Sequence, residues 1–286
     1  MAQVIRNVLV VGPGTMGRGI ANTFLRGGHE VTVISRNPDK VAPFDEFVNV
    51  TSSLPEHTPD LIIEAIVEEM SAKHALFQQL ETQYGGQPIL ATNTSGLPMN
   101  DMVARLKHPE RFIGVHYLQP ADALPLVEVI RVAATTDAVL DAVKAALDRN
   151  GQNALVLNKP VPGFLLNRLQ HAMMHEALAM IEDGVCNASD VDACLKGALA
   201  PRMCLTGLIE QKDLSGLQVT AATHRNLVPD MYHTNTPVAL LQDMVKEGKL
   251  GVSTGQGFYD WRAQDVEGYK KKVAQKLSLI LDILAE

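Results

Sequence analysis

The chain has 286 residues, 46% hydrophobic and 20% charged, which is long enough for two ordinary domains and balanced like a globular protein rather than a disordered one. Its formal net charge of −7 repels phosphate backbones, so no nucleic-acid partner is expected. No run approaches the roughly 18 apolar residues of a membrane span, and the three cysteines, Cys186, Cys194 and Cys204, have neither CxxC spacing nor an even count, so the expectation is a cytoplasmic protein with reduced thiols, no membrane partner and no metal site.

Taken in chain order, Val8 to Val11 reads as a buried strand, followed by a glycine turn and a helix from Met16 to Arg26. The turn is Gly12-Pro13-Gly14-Thr15-Met16-Gly17, a GxGxxG pattern. Such a pattern alone is weak, but this one follows the first predicted strand, opens a helix and lies within the first βαβ unit. The first glycine permits the tight turn, the second lets backbone approach a pyrophosphate, and the third lets helix and strand pack closely. The helix N-terminus adds a partial positive charge, so Gly12, Gly14, Thr15, Met16 and Gly17 are expected to hold a dinucleotide.

Glu30 to Ile34 is the second predicted strand, and it ends in Ser35-Arg36-Asn37-Pro38. An NAD-binding fold usually carries Asp or Glu at this turn to accept from the ribose hydroxyls. Here no carboxylate occurs before Asp39, and Ser35 with Arg36 suits a 2′-phosphate, which a guanidinium binds through charge-assisted contacts. NADP(H) is therefore favoured over NAD(H). Further strands are expected at Phe47 to Thr51, Leu61 to Ile63, Pro88 to Ala91, Arg111 to Gly114 and Leu126 to Ile130, with a helix from about Ser71 to Tyr84. Strands alternating with helices imply an α/β, Rossmann-type, doubly wound parallel sheet.

After Pro160-Val161-Pro162-Gly163 the strand signals stop. Phe164 to Asp183 reads as a long helix, Ala188-Ser189-Asp190 as the N-cap of the next, and Val266 to Leu284 as an amphipathic C-terminal helix. This gives a dinucleotide-binding domain over 1–160 and an all-helical domain over 161–286.

Several motifs in order carry a more specific resemblance: Gly12 to Ala21, Ile63-Glu64-Ala65-Ile66-Val67-Glu68, Asn93-Thr94-Ser95, Gly114-Val115-His116, Leu126-Val127-Glu128-Val129, Pro162 to Arg168 and Gly255 to Tyr259. Over most of its length the chain resembles the 3-hydroxyacyl-CoA dehydrogenase family. The resemblance implies an NAD(P)-dependent oxidoreductase that interconverts 3-hydroxyacyl and 3-oxoacyl groups, with the helical domain serving the substrate and forming a homodimer. It also implies that His116 is the acid/base and Glu128 its partner, with Ser95 and Asn167 hydrogen-bonding the reacting oxygen or its neighbours. An imidazole can exchange a hydroxyl proton near neutral pH, and a carboxylate on its other nitrogen sets the tautomer. Glu128 lies inside an apolar run, where a carboxylate needs a partner. Ala65, Glu68, Lys73, Asn93 and Gln119 match positions near the cofactor, although the family usually has Asn-Pro where this chain has Gln119-Pro120. The family also inserts a helical arm after its second strand, and only about 25 residues separate Ser35 from Leu61 here. A dehydrogenase of a small non-CoA hydroxy acid or alcohol, or of a carrier-protein-bound acyl group, is the alternative; a non-catalytic nucleotide-binding protein is the least favoured reading.

Overall fold

The computed structural model describes residues 3–285. By its internal contacts the chain forms two compact units, one ending at Arg168 and the other beginning at Leu169.

The first unit is built on one eight-stranded sheet. Its strands are β1 (Asn7–Val11), β2 (Glu30–Ile34), β3 (Val48–Thr51), β4 (Leu61–Glu64), β5 (Ile89–Thr92), β6 (Phe112–Tyr117), β7 (Leu126–Ile130) and β8 (Asn153–Leu157). They lie in the order β3-β2-β1-β4-β5-β6-β7-β8. The helices are α1 (Thr15–Arg26), α2 (Met70–Tyr84), α3 (Met99–Val103) and α4 (Asp137–Arg149). Successive strand residues point to opposite faces, so Val8, Val10 and Ile63 join Ile20, Phe24 and Val143 on one side. Leu9, Val11 and Ile62 join Phe77, Leu80 and Phe112 on the other. The sheet is thus buried on both faces, which is why β1 and β4 read as unbroken apolar runs.

One pairing departs from the parallel sheet expected from the sequence: β6 and β7 are antiparallel. The reason is the short connection, residues 118–125, where a parallel return needs a crossover of a dozen residues or more. Three elements in this unit lie outside the sequence expectations, the short helix α3, the helix α4 and the strand β8. The helix α4 is capped by the Thr136 hydroxyl, which accepts from the Val139 amide, and β8 pairs in parallel with β7 at the sheet edge. The crossover from β2 to β3, residues 35–47, contains only the 3₁₀ turn Pro38–Lys40 and no helical arm. Arg18 fastens it, donating to the carbonyls of Ala42 and Pro43 and stacking 4.0 Å over the Phe44 ring.

The strand order reverses between β2-β1 and β4, and a doubly wound sheet opens its ligand crevice at that switch point. The loop there is held by glycines. Gly12 has φ +114° and lies against the Ala65 backbone, and a Cβ on Gly17 would overlap the carbonyl oxygen of Gly12. Gly17→Ala is therefore expected to destabilise the protein by about 1–3 kcal/mol, read as a lowered midpoint in urea denaturation. An unchanged midpoint would show that the loop relaxes without cost.

The second unit is helical: α5 (Leu166–Glu182, its first three residues in the first unit), α6 (Ala188–Cys194), α7 (Ala200–Leu205), α8 (Glu210–Ser215), α9 (Leu217–Leu227), α10 (Ala239–Lys246) and α11 (Val266–Ala285). A π-helical stretch, Leu195–Leu199, joins α6 to α7. The cap of α6 is Asn187, one residue earlier than expected. Its side chain accepts from the Asp190 amide while the Asp190 carboxylate accepts from the Asn187 amide, a reciprocal capping box. The small core of this unit holds Leu178, Ala179 and Val238, whereas Met173, Leu214, Leu217, Leu279 and Ile283 are exposed. Among the described residues no helix is long and apolar enough to cross a membrane.

Candidate active site

The loop after β1 opens α1 without a side-chain cap and without an acidic residue in the first turn. Its first amides are therefore free to meet an anion, as helix N-termini do. A Cβ added at Gly14 would meet nothing within 4 Å, so this face of the loop is bare toward the crevice. Beside it runs a groove of about 1060 Å³, floored by Gly12, Gly14 and Ala65 and walled by the apolar Leu54, Ile66 and Leu76. None of its lining residues is acidic, and Arg36 is the one cation among them. A flat apolar wall for adenine, bare backbone for a pyrophosphate and no competing carboxylate fit a nicotinamide dinucleotide. Thr15 is exposed at the first turn of α1, and Met16 is half-buried against the core. Gln119 lies elsewhere, on a second cavity of about 550 Å³ that also touches Gly14 and Thr15. Ser35 is buried, and its Oγ accepts from the Asn37 amide at 3.2 Å.

At the carboxyl end of β6, the antiparallel register sets His116 directly opposite Glu128. Glu128 is fully buried, and its Oε2 lies 2.7 Å from His116 Nδ1. The other oxygen accepts from the Leu165 and Leu166 amides at 2.9 and 3.0 Å. Two main-chain amides donate to Oε1, and with Oε2 as an acceptor the facing Nδ1 is assigned the ring proton. The other ring nitrogen, Nε2, lies 3.3 Å from the Oγ of Ser95, an exposed residue. Phe164 makes the arrangement possible. It sits at φ +48°, buried, with its ring 5.2 Å from the His116 ring. A non-glycine residue in that region is strained. The strained turn sets the Leu165 amide and the first amide of α5, that of Leu166, against Glu128. Asn167, also in the first turn of α5, is half-buried and enters none of these hydrogen bonds.

Beneath the site is a second charged group. Glu64, at the end of β4 and fully buried, accepts from Lys73 Nζ at 2.6 Å, Thr92 Oγ1 at 2.7 Å and the Ile66 amide at 2.8 Å. Lys73 is also buried, and its ammonium lies 3.1 Å from Glu68 Oε2. The other oxygen of Glu68 accepts from the Thr94 hydroxyl and, at 3.0 Å, from the Ser95 amide. Partial burial works against the Glu68 charge, but the donors Thr94, Lys73 and Ser95 outweigh it and hold the carboxyl below its ordinary pKa. The network thus joins the floor of the groove to the backbone of Ser95. Asn93 Oδ1 accepts from the Tyr117 amide at 2.8 Å and ties the end of β5 to β6.

Sequence reasoning missed Glu64, Thr92 and Thr94. The signal for Glu64 was the one used for Glu128, a carboxylate within an apolar run. Thr92 carries no such mark, because threonine is ordinary in a strand, and Thr94 lies in the loop just after β5.

A family model described as 3-hydroxyacyl-CoA dehydrogenase, NAD binding domain, matches residues 7–52 and 42–160. The C-terminal domain model of the same family matches residues 163–261. The chain is 33% identical to 3-hydroxybutyryl-CoA dehydrogenase from Clostridioides difficile, over 88% of this chain and 98% of the relative. It is 25% identical to 5-formyl-3-hydroxy-2-methylpyridine 4-carboxylate 5-dehydrogenase from Mesorhizobium japonicum, over 98% and 99% of the two chains. A crystal structure of a dehydrogenase of that pyridine acid, described as an NAD+-dependent dismutase, superimposes with a TM-score of 0.92 at 25% identity, covering 99% of each chain.

Proposed function

Because the chain belongs to the 3-hydroxyacyl-CoA dehydrogenase family, we propose that it interconverts the 3-hydroxy and 3-oxo forms of an acyl thioester with His116 as acid/base and NADP(H) as its preferred cofactor. The chain is a nicotinamide-dependent oxidoreductase acting on a hydroxyl group. The observation that carries the proposal is the His116 imidazole, locked by Glu128 on one nitrogen and turned by the other toward the exposed Ser95.

The nicotinamide, when bound, supplies or accepts a hydride. Gly12, Gly14, Thr15, Met16 and Gly17 would hold the dinucleotide, together with Ala65, Asn93 and Gln119. His116 Nε2 takes the substrate hydroxyl proton in oxidation and returns it to the carbonyl oxygen in reduction. Glu128 keeps the imidazole in the tautomer that leaves Nε2 free and stabilises the imidazolium that forms. Ser95, and Asn167 from the start of α5, hydrogen-bond the reacting oxygen. Glu68 and Lys73 act from beneath, fixing the backbone of Ser95.

Domains over 1–160 and 161–286, a homodimer formed through the helical domain and a cytoplasmic setting complete the reading. The large apolar side chains left exposed on the helical unit, Leu214, Leu217, Leu279 and Ile283 among them, support the dimer. The free Cys186, Cys194 and Cys204 support a reducing compartment.

A second reading, a small hydroxy acid or alcohol without CoA, is favoured by the armless crossover over residues 35–47 and by the likeness to the pyridine-acid dehydrogenase. Turnover of a short 3-oxoacyl-CoA with NADPH tests the first reading. Activity confined to free hydroxy acids would replace it with the second. For the cofactor, NADPH is expected to bind at least about tenfold tighter than NADH, roughly 1.4 kcal/mol, with Arg36→Ala erasing the difference. Tighter binding of NADH, measured calorimetrically, would return the chain to NAD(H).

A further inference from the structure

We propose that the turn after β3, Ser52-Ser53, forms with Arg36 the corner of the groove that takes the 2′-phosphate of an adenosine. The inference rests on the NADP(H) reading and moves one of its contacts.

Ser35, which the sequence pattern puts in this role, is committed elsewhere. It is buried, its Oγ accepts from the Asn37 amide, and it does not line the groove. Arg36, Ser52 and Ser53 do line it, and all three are exposed. The parallel pairing of β2 with β3 explains how they meet. Ile34 is the register partner of Thr51, so the two strands end side by side and the residues just beyond each emerge together at the rim. The turn is shaped by Thr51, whose Oγ1 accepts from the Ser53 amide at 3.2 Å. Among the described residues the Ser52 and Ser53 hydroxyls have no hydrogen-bond partner, and the Arg36 guanidinium has neither a hydrogen bond nor an ion pair.

An unpaired guanidinium, two unpaired hydroxyls and no carboxylate along the groove make a site for an anion. A guanidinium offers a fork of donors to phosphate oxygens, and two hydroxyls complete the coordination. A ribose 2′-hydroxyl without a phosphate is usually held by a carboxylate acceptor, and none lines this groove.

Titration calorimetry of adenosine 2′,5′-bisphosphate against AMP, which differs only by the 2′-phosphate, tests the corner without turnover. Wild type is expected to bind the 2′,5′-bisphosphate at least about tenfold tighter. Ser52→Ala/Ser53→Ala is expected to weaken it about fivefold to tenfold while leaving AMP within about twofold. Ser53→Asp, which sets a charge against the phosphate, is expected to weaken it at least as much, again sparing AMP. If wild type discriminates and both serine variants bind like wild type, the corner is overturned while the cofactor reading stands. If wild type does not discriminate, both fall.

Discussion

His116→Gln is expected to lower kcat/KM by about 10²–10⁴-fold, the usual share of a positioned acid/base. It should leave dinucleotide affinity and thermal stability close to wild type. The amide keeps a polar group beside Glu128 but cannot exchange a proton near neutral pH. Glu128→Gln is expected to lower activity too, because an amide in place of the carboxylate removes what holds Nδ1 protonated. The two losses should not add in the double variant, since both act through Nε2. Steady-state kinetics with dinucleotide affinity measured in parallel would check this. A His116→Gln enzyme that keeps more than about a tenth of wild-type activity would remove His116 from the acid/base role.

The second large effect concerns stability. Lys73→Met leaves Glu64 as a fully buried carboxylate without its cation, and breaking a buried pair from one side costs about 3–5 kcal/mol. Glu64→Gln in the same chain is expected to restore most of that loss, because the uncompensated charge goes while Thr92 and the Ile66 amide still have an acceptor. Chemical denaturation of the two single variants and the double variant closes the cycle. A Lys73→Met protein within about 1 kcal/mol of wild type would mean the pair carries little net energy. Because Glu68 holds the Ser95 amide, the same variant should also disturb catalysis.

Much of the first unit was legible in its residues. Apolar runs marked β1 and β4, the glycine spacing marked the turn into α1, and Glu128 stood out as a carboxylate where only apolar side chains belong. The register that faces it with His116 could not be read, because it depends on β6 and β7 running antiparallel. The connection of eight residues was the available clue. The strand β8 escaped because its residues are mostly half-exposed at the sheet edge and alternate weakly. The helix α4 had both a cap at Thr136 and an apolar stripe through Val139, Val143 and Leu147, so its signal was present and went unused. The groove was hardest to foresee. Ser52 and Ser53 follow Arg36 by sixteen and seventeen positions and become its neighbours only through the β2–β3 pairing.

Glu128 serves two masters, a ring nitrogen and the opening turn of a helix. Three of its acceptor directions are filled, and two of those donors are main-chain amides that no side-chain substitution removes. A descendant of this chain that lost its chemistry would still need an acceptor there to keep α5 seated. The persistence of Glu128 in such a descendant would therefore testify to architecture alone. The exposed Ser95 hydroxyl has no comparable duty in the fold, and its loss would be the earlier trace of an enzyme falling silent.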